Sequence, residues 1–189
     1  MLGPDTANAI AVKDPWLRRV GDRWWMFVSY GVRPEGDERK LHASGDALST
    51  GAVKSETGLA TSADGVRWKW EGGVLAAAAK GWDKATARLT TAFRGGEGWI
   101  GLYDGASDIG ENYEERCGIA ASADLRTWER LGSGPAIGTA GGSGTVRYVE
   151  SVVFEERLLF FFERTRVDGA HELCLSRARI SGSDRDTSR

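Results

Sequence analysis

Lys13-Asp-Pro-Trp-Leu-Arg-Arg-Val-Gly-Asp-Arg-Trp-Trp-Met-Phe-Val-Ser-Tyr-Gly31 decides the fold. An acid followed by a proline opens a short strand, Gly21-Asp22 supplies a tight polar turn, and the second strand is rich in aromatic and β-branched residues. The stretch reads as a hairpin. A degraded copy runs from Thr90 to Gly105 with its turn expected at Gly95-Gly96, and a third runs from Tyr148 to Glu163 with its turn at Glu155-Glu156. Three copies make the hairpin a repeat, and the rest of the chain is read in its phase.

A second motif keeps that phase. Gly58-Leu-Ala-Thr-Ser-Ala-Asp-Gly-Val-Arg-Trp68 returns as Gly118-Ile-Ala-Ala-Ser-Ala-Asp-Leu-Arg-Thr-Trp128, a strand, a Ser-Ala-Asp turn and a Trp-bearing strand. Hairpin, loop, strand, turn and strand make four antiparallel strands, the content of one propeller blade. The fold class is therefore all-β, a partial β-propeller with about three four-stranded blades at residues 14–75, 82–135 and 145–179. The third blade has its hairpin and a strand at Glu172 to Ser176, and no Asp-x-x-x-Trp strand follows. Residues 181–189 form a polar tail expected to be disordered. Three blades leave two radial faces unclosed, and apolar faces of that size are expected to drive self-association unless further N-terminal blades cover them. The expected core holds Trp24, Met26, Val28, Leu59, Ile100, Leu102, Ile119, Leu159 and Phe161.

Bulk properties narrow the function classes. At 189 residues the chain can bury one substantial core. A net charge of -2 provides no basic footprint for nucleic acid or for an acidic membrane surface. There is no charged-then-apolar leader and no apolar run near 18 residues, so a cytoplasmic protein without membrane insertion is expected. Cys117 and Cys174 read as small buried cysteines rather than a disulfide or metal pair. His42 and His171 have no partner at metal-ligand spacing, so neither a metal nor another cofactor is expected.

Lys13-Asp-Pro-Trp before Gly-Asp-Arg-Trp-Trp-Met-Phe, the two Ser-Ala-Asp-x-x-x-Trp segments and Tyr103-Asp-Gly together resemble the five-bladed β-propeller glycoside hydrolases, the superfamily of families 43, 32, 68 and 130. The likeness covers roughly residues 9–176 and matches the C-terminal three blades. It implies a protein that cleaves or transfers a glycosyl unit of a small glycoside or oligosaccharide, with carboxylates lining a central funnel. It also implies that Asp14 stands either on the third blade, where family 43 enzymes carry a glutamate general acid, or at the Asp-Pro of the second blade. The positions matching Asp14 in the other repeats are expected near Arg88 and Tyr148, so a complete acid and base pair is not visible. A non-catalytic carbohydrate-binding propeller, or a truncated inactive member, is the competing reading.

Strand polarity places the site independently of the family. The start of each blade's first strand shares a rim with the loop joining its second and third strands, and those loops, Val32 to Thr57, Ala106 to Arg116 and Arg164 to Ala170, are the long polar ones. The candidate catalytic carboxylates on this rim are Asp14 and Glu150. Asp14 can equally be a turn cap that anchors its strand. Glu150 lies two residues beyond Tyr148 and is expected on the same side of its strand. Candidate substrate-binding residues are Trp16, Arg88, Asp104, Tyr113, Arg147 and Tyr148, which can bind sugar hydroxyls or stack on sugar rings. Ordinary strand-end pairing, a turn role for Asp104 and a solvated loop around Tyr113 are the alternatives.

Overall fold

The structure, a computed structural model, describes residues 2–35, 41, 47–139 and 142–180. His42 and the tail at 181–189 lie outside the described residues. Strand β1 (Ala9–Val20) turns at Gly21-Asp22 into β2 (Arg23–Val32), β3 (Ser55–Ser62) pairs with β2, and β4 (Lys69–Leu75) pairs with β3, all antiparallel. Gly21 occupies the left-handed region at φ +62°, which a two-residue hairpin turn requires and glycine adopts at no steric cost. Ala9-Ile-Ala-Val extends β1, and a four-residue helix at Pro4–Ala7, not foreseen from sequence, leads into it.

The second set follows the same order: β5 (Thr86–Gly95), β6 (Gly98–Ala106), β7 (Arg116–Ser122) and the two-residue β8 (Glu129–Arg130) are successive neighbours. The third is β9 (Arg147–Phe154), β10 (Arg157–Thr165) and β11 (His171–Arg179), with no fourth strand among the described residues. The chain divides into two compact units, Met1–Leu89 with Ala106–Asn112, and Thr90–Gly105 with Tyr113–Arg189. Among the described residues, no helix is long and apolar enough to cross a membrane.

Three expectations need correction. The second hairpin turns at Gly96-Glu97, one residue later than read, because β5 continues through Gly95. Counting back from the three turns therefore matches Asp14 with Leu89 and Tyr148, whereas Arg88 falls in register with Lys13 and Arg147. Trp68 and Trp128 stand just before β4 and β8 rather than within them.

The reason lies in the Ser-Ala-Asp turn itself. Ser62 Oγ accepts from the backbone N–H of Asp64 and Gly65, while Asp64 Oδ1 accepts from those of Val66 and Arg67. Ser122 and Asp124 repeat the pattern on Asp124, Leu125, Arg126 and Thr127. Four backbone donors are satisfied by two side chains, which delays the next ladder until after the tryptophan. These bonds hold both aspartates below the usual carboxylate range.

Met26, Phe27, Val28 and Ser29 are consecutively buried, so both faces of β2 are covered and simple alternation is lost. In the first unit Met26, Val28 and Ala60 pack with Trp68 and Trp70. In the second, Leu102, Cys117, Val146 and Val149 pack with Phe93, Ile119, Phe160 and Phe162. Two phase-equivalent glycines make room for rings: a Cβ on Gly58 would stand 2.0 Å from Trp70, and one on Gly118 would stand 2.4 Å from Tyr103. Of the expected core, Met26, Val28, Leu59 and Leu102 are buried, whereas Trp24, Ile100, Ile119, Leu159 and Phe161 are half-buried.

Candidate functional site

The candidate residues fall into two groups, one in each unit. In the first unit the β1–β2 ladder slips between Lys13↔Ser29 and Trp16↔Phe27, so β1 carries one extra residue at Asp14-Pro15. Proline has no N–H for the ladder and belongs at such a bulge. Asp14 takes φ +52°, a left-handed conformation that aspartate tolerates better than most side chains. Its Oδ2 meets Arg88 Nη1 at 3.1 Å and Lys13 Nζ at 4.0 Å. The Asp14 side chain is 36% exposed and that of Arg88 only 4%, so a carboxylate accessible to a ligand rests on a buried guanidinium. Trp16, two residues on, is half-buried, with its ring 5.6 Å from that of Phe27.

In the second unit β9 slips against β10 between Phe161↔Glu150 and Glu163↔Arg147, and Tyr148 sits at that bulge with φ +51°. Tyr148 is thus the counterpart of Asp14 in backbone conformation as well as in sequence phase. No proline removes its N–H here. Instead, Asp104 accepts that N–H at 3.1 and 3.2 Å through its two oxygens. Asp104, a candidate substrate-binding residue with a turn role as its alternative, is fully buried within β6 and is neither in a turn nor exposed to a ligand. Burial and the Asp104 charge push the adjacent Cys117 thiol up to about 12, so this cysteine is a packing group and not a thiolate. Both cysteines are free, Cys117 buried and Cys174 half-buried.

Arg147, one residue before Tyr148, is 5% exposed. Its guanidinium meets Glu115 Oε2 at 3.2 Å and Glu163 Oε2 at 3.0 Å, and lies 5.5 Å from the Tyr113 ring and 4.9 Å from the Tyr148 ring. The cation is held by two carboxylates while two exposed aromatic rings lean on it. Tyr113, at φ +71°, has its carbonyl 3.1 Å from His171 Nε2. Beside it Glu114 loses affinity for its charge through desolvation, but the hydroxyls of Ser143, Thr145 and Thr165 and the His171 charge outweigh this and keep its carboxyl below the usual range. An open cavity of about 510 Å³ shares Thr165 with this cluster, and its Arg164 and Arg166 are paired with Glu172 and Asp168.

Glu150 does not share a side with Tyr148, because the bulge breaks the two-residue period. Its Oε1 accepts from Thr91 Oγ1 at 3.0 Å and from the Ser151 N–H at 2.9 Å. Sequence reading missed Lys13 and Glu163. The missed signal was a column: with the turns aligned, the residue before the bulge position is Lys13, Arg88 or Arg147, a cation in all three hairpins. Among the described residues no group of three or more metal-ligating side chains occurs.

No protein-family profile matches the chain, and no curated protein matches it in sequence. Solved structures do. A family 117 glycoside hydrolase produced by the marine bacterium Zobellia galactanivorans superposes with a TM-score of 0.71 at 16% identity, over 94% of this chain and 55% of that one. Sucrose-6-phosphate hydrolase from Lactobacillus gasseri matches with a TM-score of 0.64 at 12% identity, over 88% and 32%. β-1,2-Mannobiose phosphorylase from Listeria innocua matches with a TM-score of 0.60 at 14% identity, over 89% and 44%. The chain spans about half the length of the first of these, and less of the others. At such identities the likeness is one of fold, that of a partial β-propeller.

Proposed function

We propose that the chain is the blade portion of a protein that cleaves or transfers a glycosyl unit of a small glycoside or oligosaccharide, with Asp14 as the carboxylate that meets the sugar. The observation that carries this reading is the Asp14 bulge: a backbone set at φ +52° between Lys13 and Pro15, and a side chain 36% exposed on a guanidinium that is buried. Backbone strain of this kind, of the order of 1–3 kcal/mol, persists where surroundings over-determine it and is concentrated at functional positions. Both cations approach Asp14 through Oδ2. Oδ1 is then the atom for a sugar hydroxyl or for the positive charge that develops at C1 in an oxocarbenium-like transition state. A partner carboxylate is required for either stereochemical course. Glu150 is the other candidate carboxylate, and Arg88 and Trp16 shape the surface beside Asp14 in this proposal.

Non-catalytic carbohydrate binding is the second reading, and a specific observation favours it. At the counterpart of Asp14 stands Tyr148, whose ring and that of Tyr113 are exposed over a pinned Arg147, while Asp104 and Glu150 hold backbone N–H groups. Exposed aromatic faces beside hydrogen-bonding groups suit sugar binding without chemistry.

The test uses aryl arabinosides, xylosides, galactosides and mannosides and fructosyl donors. Asp14→Asn removes a charge with little change in volume, and turnover should fall by about 10²- to 10⁴-fold with the fold intact. Glu150→Gln and Tyr148→Phe are measured beside it. Full activity in Asp14→Asn would return Asp14 to a strand anchor. Calorimetric binding of one glycoside with no cleavage of any would establish the second reading in place of the first.

A further inference from the structure

We propose that the open cavity between the connection leading into β9 and the β10–β11 hairpin is a separate ligand site, which takes a neutral polyhydroxylated molecule the size of one or two sugar rings. Its volume of about 510 Å³ falls within the roughly 300–1,000 Å³ of small-molecule sites. The β10–β11 register is unbroken from Arg157↔Arg179 to Thr165↔His171, so Arg164 and Glu172 stand on the face of the hairpin that carries Phe160 and Phe162. Those rings pack on the Leu102–Cys117 cluster. The cavity therefore lies on the side of the hairpin turned toward the rest of the second unit, with Thr139 and Gly142 as its other wall.

Both walls are fixed by contacts of their own. Glu114 accepts from the hydroxyls of Ser143, of Thr145 at 2.6 Å and of Thr165 at 3.0 Å, which ties the connection to the end of β10. Gly142 lies so close to that strand end that a Cβ on it would stand 2.1 Å from the Thr165 carbonyl oxygen. The hairpin loop closes on itself: the Arg166 N–H donates to the Ala170 carbonyl at 2.8 Å, the Gly169 N–H to the Arg166 carbonyl at 3.0 Å, and the Ala170 N–H to Asp168 Oδ1 at 3.2 Å. Walls set in advance reduce the ordering that binding would otherwise cost.

The charges decide the class of ligand. Arg164 donates through Nε and Nη2 to Glu172 Oε1 at 2.6 Å, and Arg166 Nη2 meets Asp168 Oδ2 at 3.0 Å. Each cation has its own carboxylate, so the lining carries no net charge, and an anion or a cation would have to displace a partner already in place. Val167 is the one apolar side chain larger than a methyl group in the lining, and at 90% exposed it offers an apolar ligand nothing to pack on. Among the described residues, Arg164 Nη1, Arg166 Nη1 and Glu172 Oε2 have no hydrogen-bond partner. The Arg164 side chain is 43% exposed and that of Glu172 33%, so these atoms are open to a ligand. Donors beside an acceptor match hydroxyl groups, each of which accepts from one neighbour while donating to another. A row of hydroxyls on a sugar ring meets that pattern. No aromatic face lies in the lining, so binding should be weak, with Kd of about 1–10 mM.

Amide NMR of the whole chain, titrated with the methyl glycosides of arabinose, xylose, galactose, mannose and fructose to about 50 mM, tests this. At least one of them should shift the backbone amides of Thr139, Thr165 and the Arg166–Ala170 loop. Those shifts should persist unchanged in Asp14→Asn, because no residue of the cavity belongs to the Asp14 group. The two readings can thus fail separately: cavity shifts without cleavage of any glycoside would keep this site and remove the enzyme. Glu172→Gln and Arg166→Ala should each weaken binding about tenfold. Neither side chain is buried, and circular dichroism melts confirm that each variant is folded. Three results overturn the proposal: no shift of these amides by any of the sugars, shifts indifferent to both substitutions, or inorganic phosphate moving the same amides at lower concentration than every sugar.

Discussion

Replacing Arg147 by Met keeps an apolar stem in its slot and removes the guanidinium that Glu115 and Glu163 share. Glu115 and Arg147 side chains are 5% and 6% exposed, so this is a buried pair, and removal of one partner of such a pair costs about 3–5 kcal/mol. Glu163, 37% exposed, adds only about 0–1 kcal/mol, because water replaces most of what it loses. The contacts with the Tyr113 and Tyr148 rings add about 0.5–1 kcal/mol each at exposed sites. Buried-pair loss dominates, and against a total stability of about 5–15 kcal/mol the variant should be folded but much weakened. Urea unfolding followed by far-UV circular dichroism and tryptophan fluorescence measures the loss. A double-mutant cycle with Glu115→Gln isolates the pair and should return a coupling of about 1–3 kcal/mol. Arg147→Lys keeps the charge without the planar fork and should lose less than Met does. A loss below about 1 kcal/mol for Arg147→Met, or a cycle with no coupling, would show that the cluster is solvated and that burial was misjudged as the source of its strength.

Two predictions concern the scaffold. Gly58→Ala and Gly118→Ala should each cost about 1–3 kcal/mol in urea melts, because their new Cβ atoms meet Trp70 and Tyr103 and a packed ring must move. An effect of a few tenths in both would mean that the rings shift freely. Asp64, Asp124 and Glu114 have folded-state values below the usual carboxylate range, so their contribution is fully present above about pH 4 and is lost as pH falls through the depressed values. Melting temperature should therefore hold between pH 5 and 7 and drop toward about pH 3, and Glu114→Gln should flatten the acid limb. An acid limb identical in that variant would place the titration elsewhere.

The repeat was legible because its chemistry is local. A Ser-Ala-Asp turn satisfies its own backbone donors, and a hairpin turn is fixed by two residues, so both survive in sequence whatever packs around them. The four-residue helix and the shortness of β8 were not legible, since neither follows from a local pattern of that strength. The candidate site was half legible for a related reason. Asp14 was found because an acid before a proline stands out at the opening of a strand, and the structure shows that the same proline sits at a bulge. Tyr148 was matched to it by phase, but nothing in Arg147-Tyr148-Val149 announces a bulge, whose existence depends on Asp104 taking up the N–H from forty-four residues away. That long-range bond reversed two expectations at once. It made Asp104 a buried backbone partner, and it broke the alternation by which Glu150 was placed beside Tyr148. The one-residue slip at Gly95 had the same origin in scale: a glycine pair admits two turn positions, and the register of β5 on its neighbours chooses between them. Arg88 then moves out of the Asp14 column into a cationic one. The consequence is physical: the cation holding Asp14 and the cation holding Glu115 and Glu163 are the same repeat position used twice, once beneath an accessible carboxylate and once beneath exposed tyrosines. Divergence between the two units therefore lies in what stands at the bulge, Asp14 or Tyr148, and not in the cation that supports it.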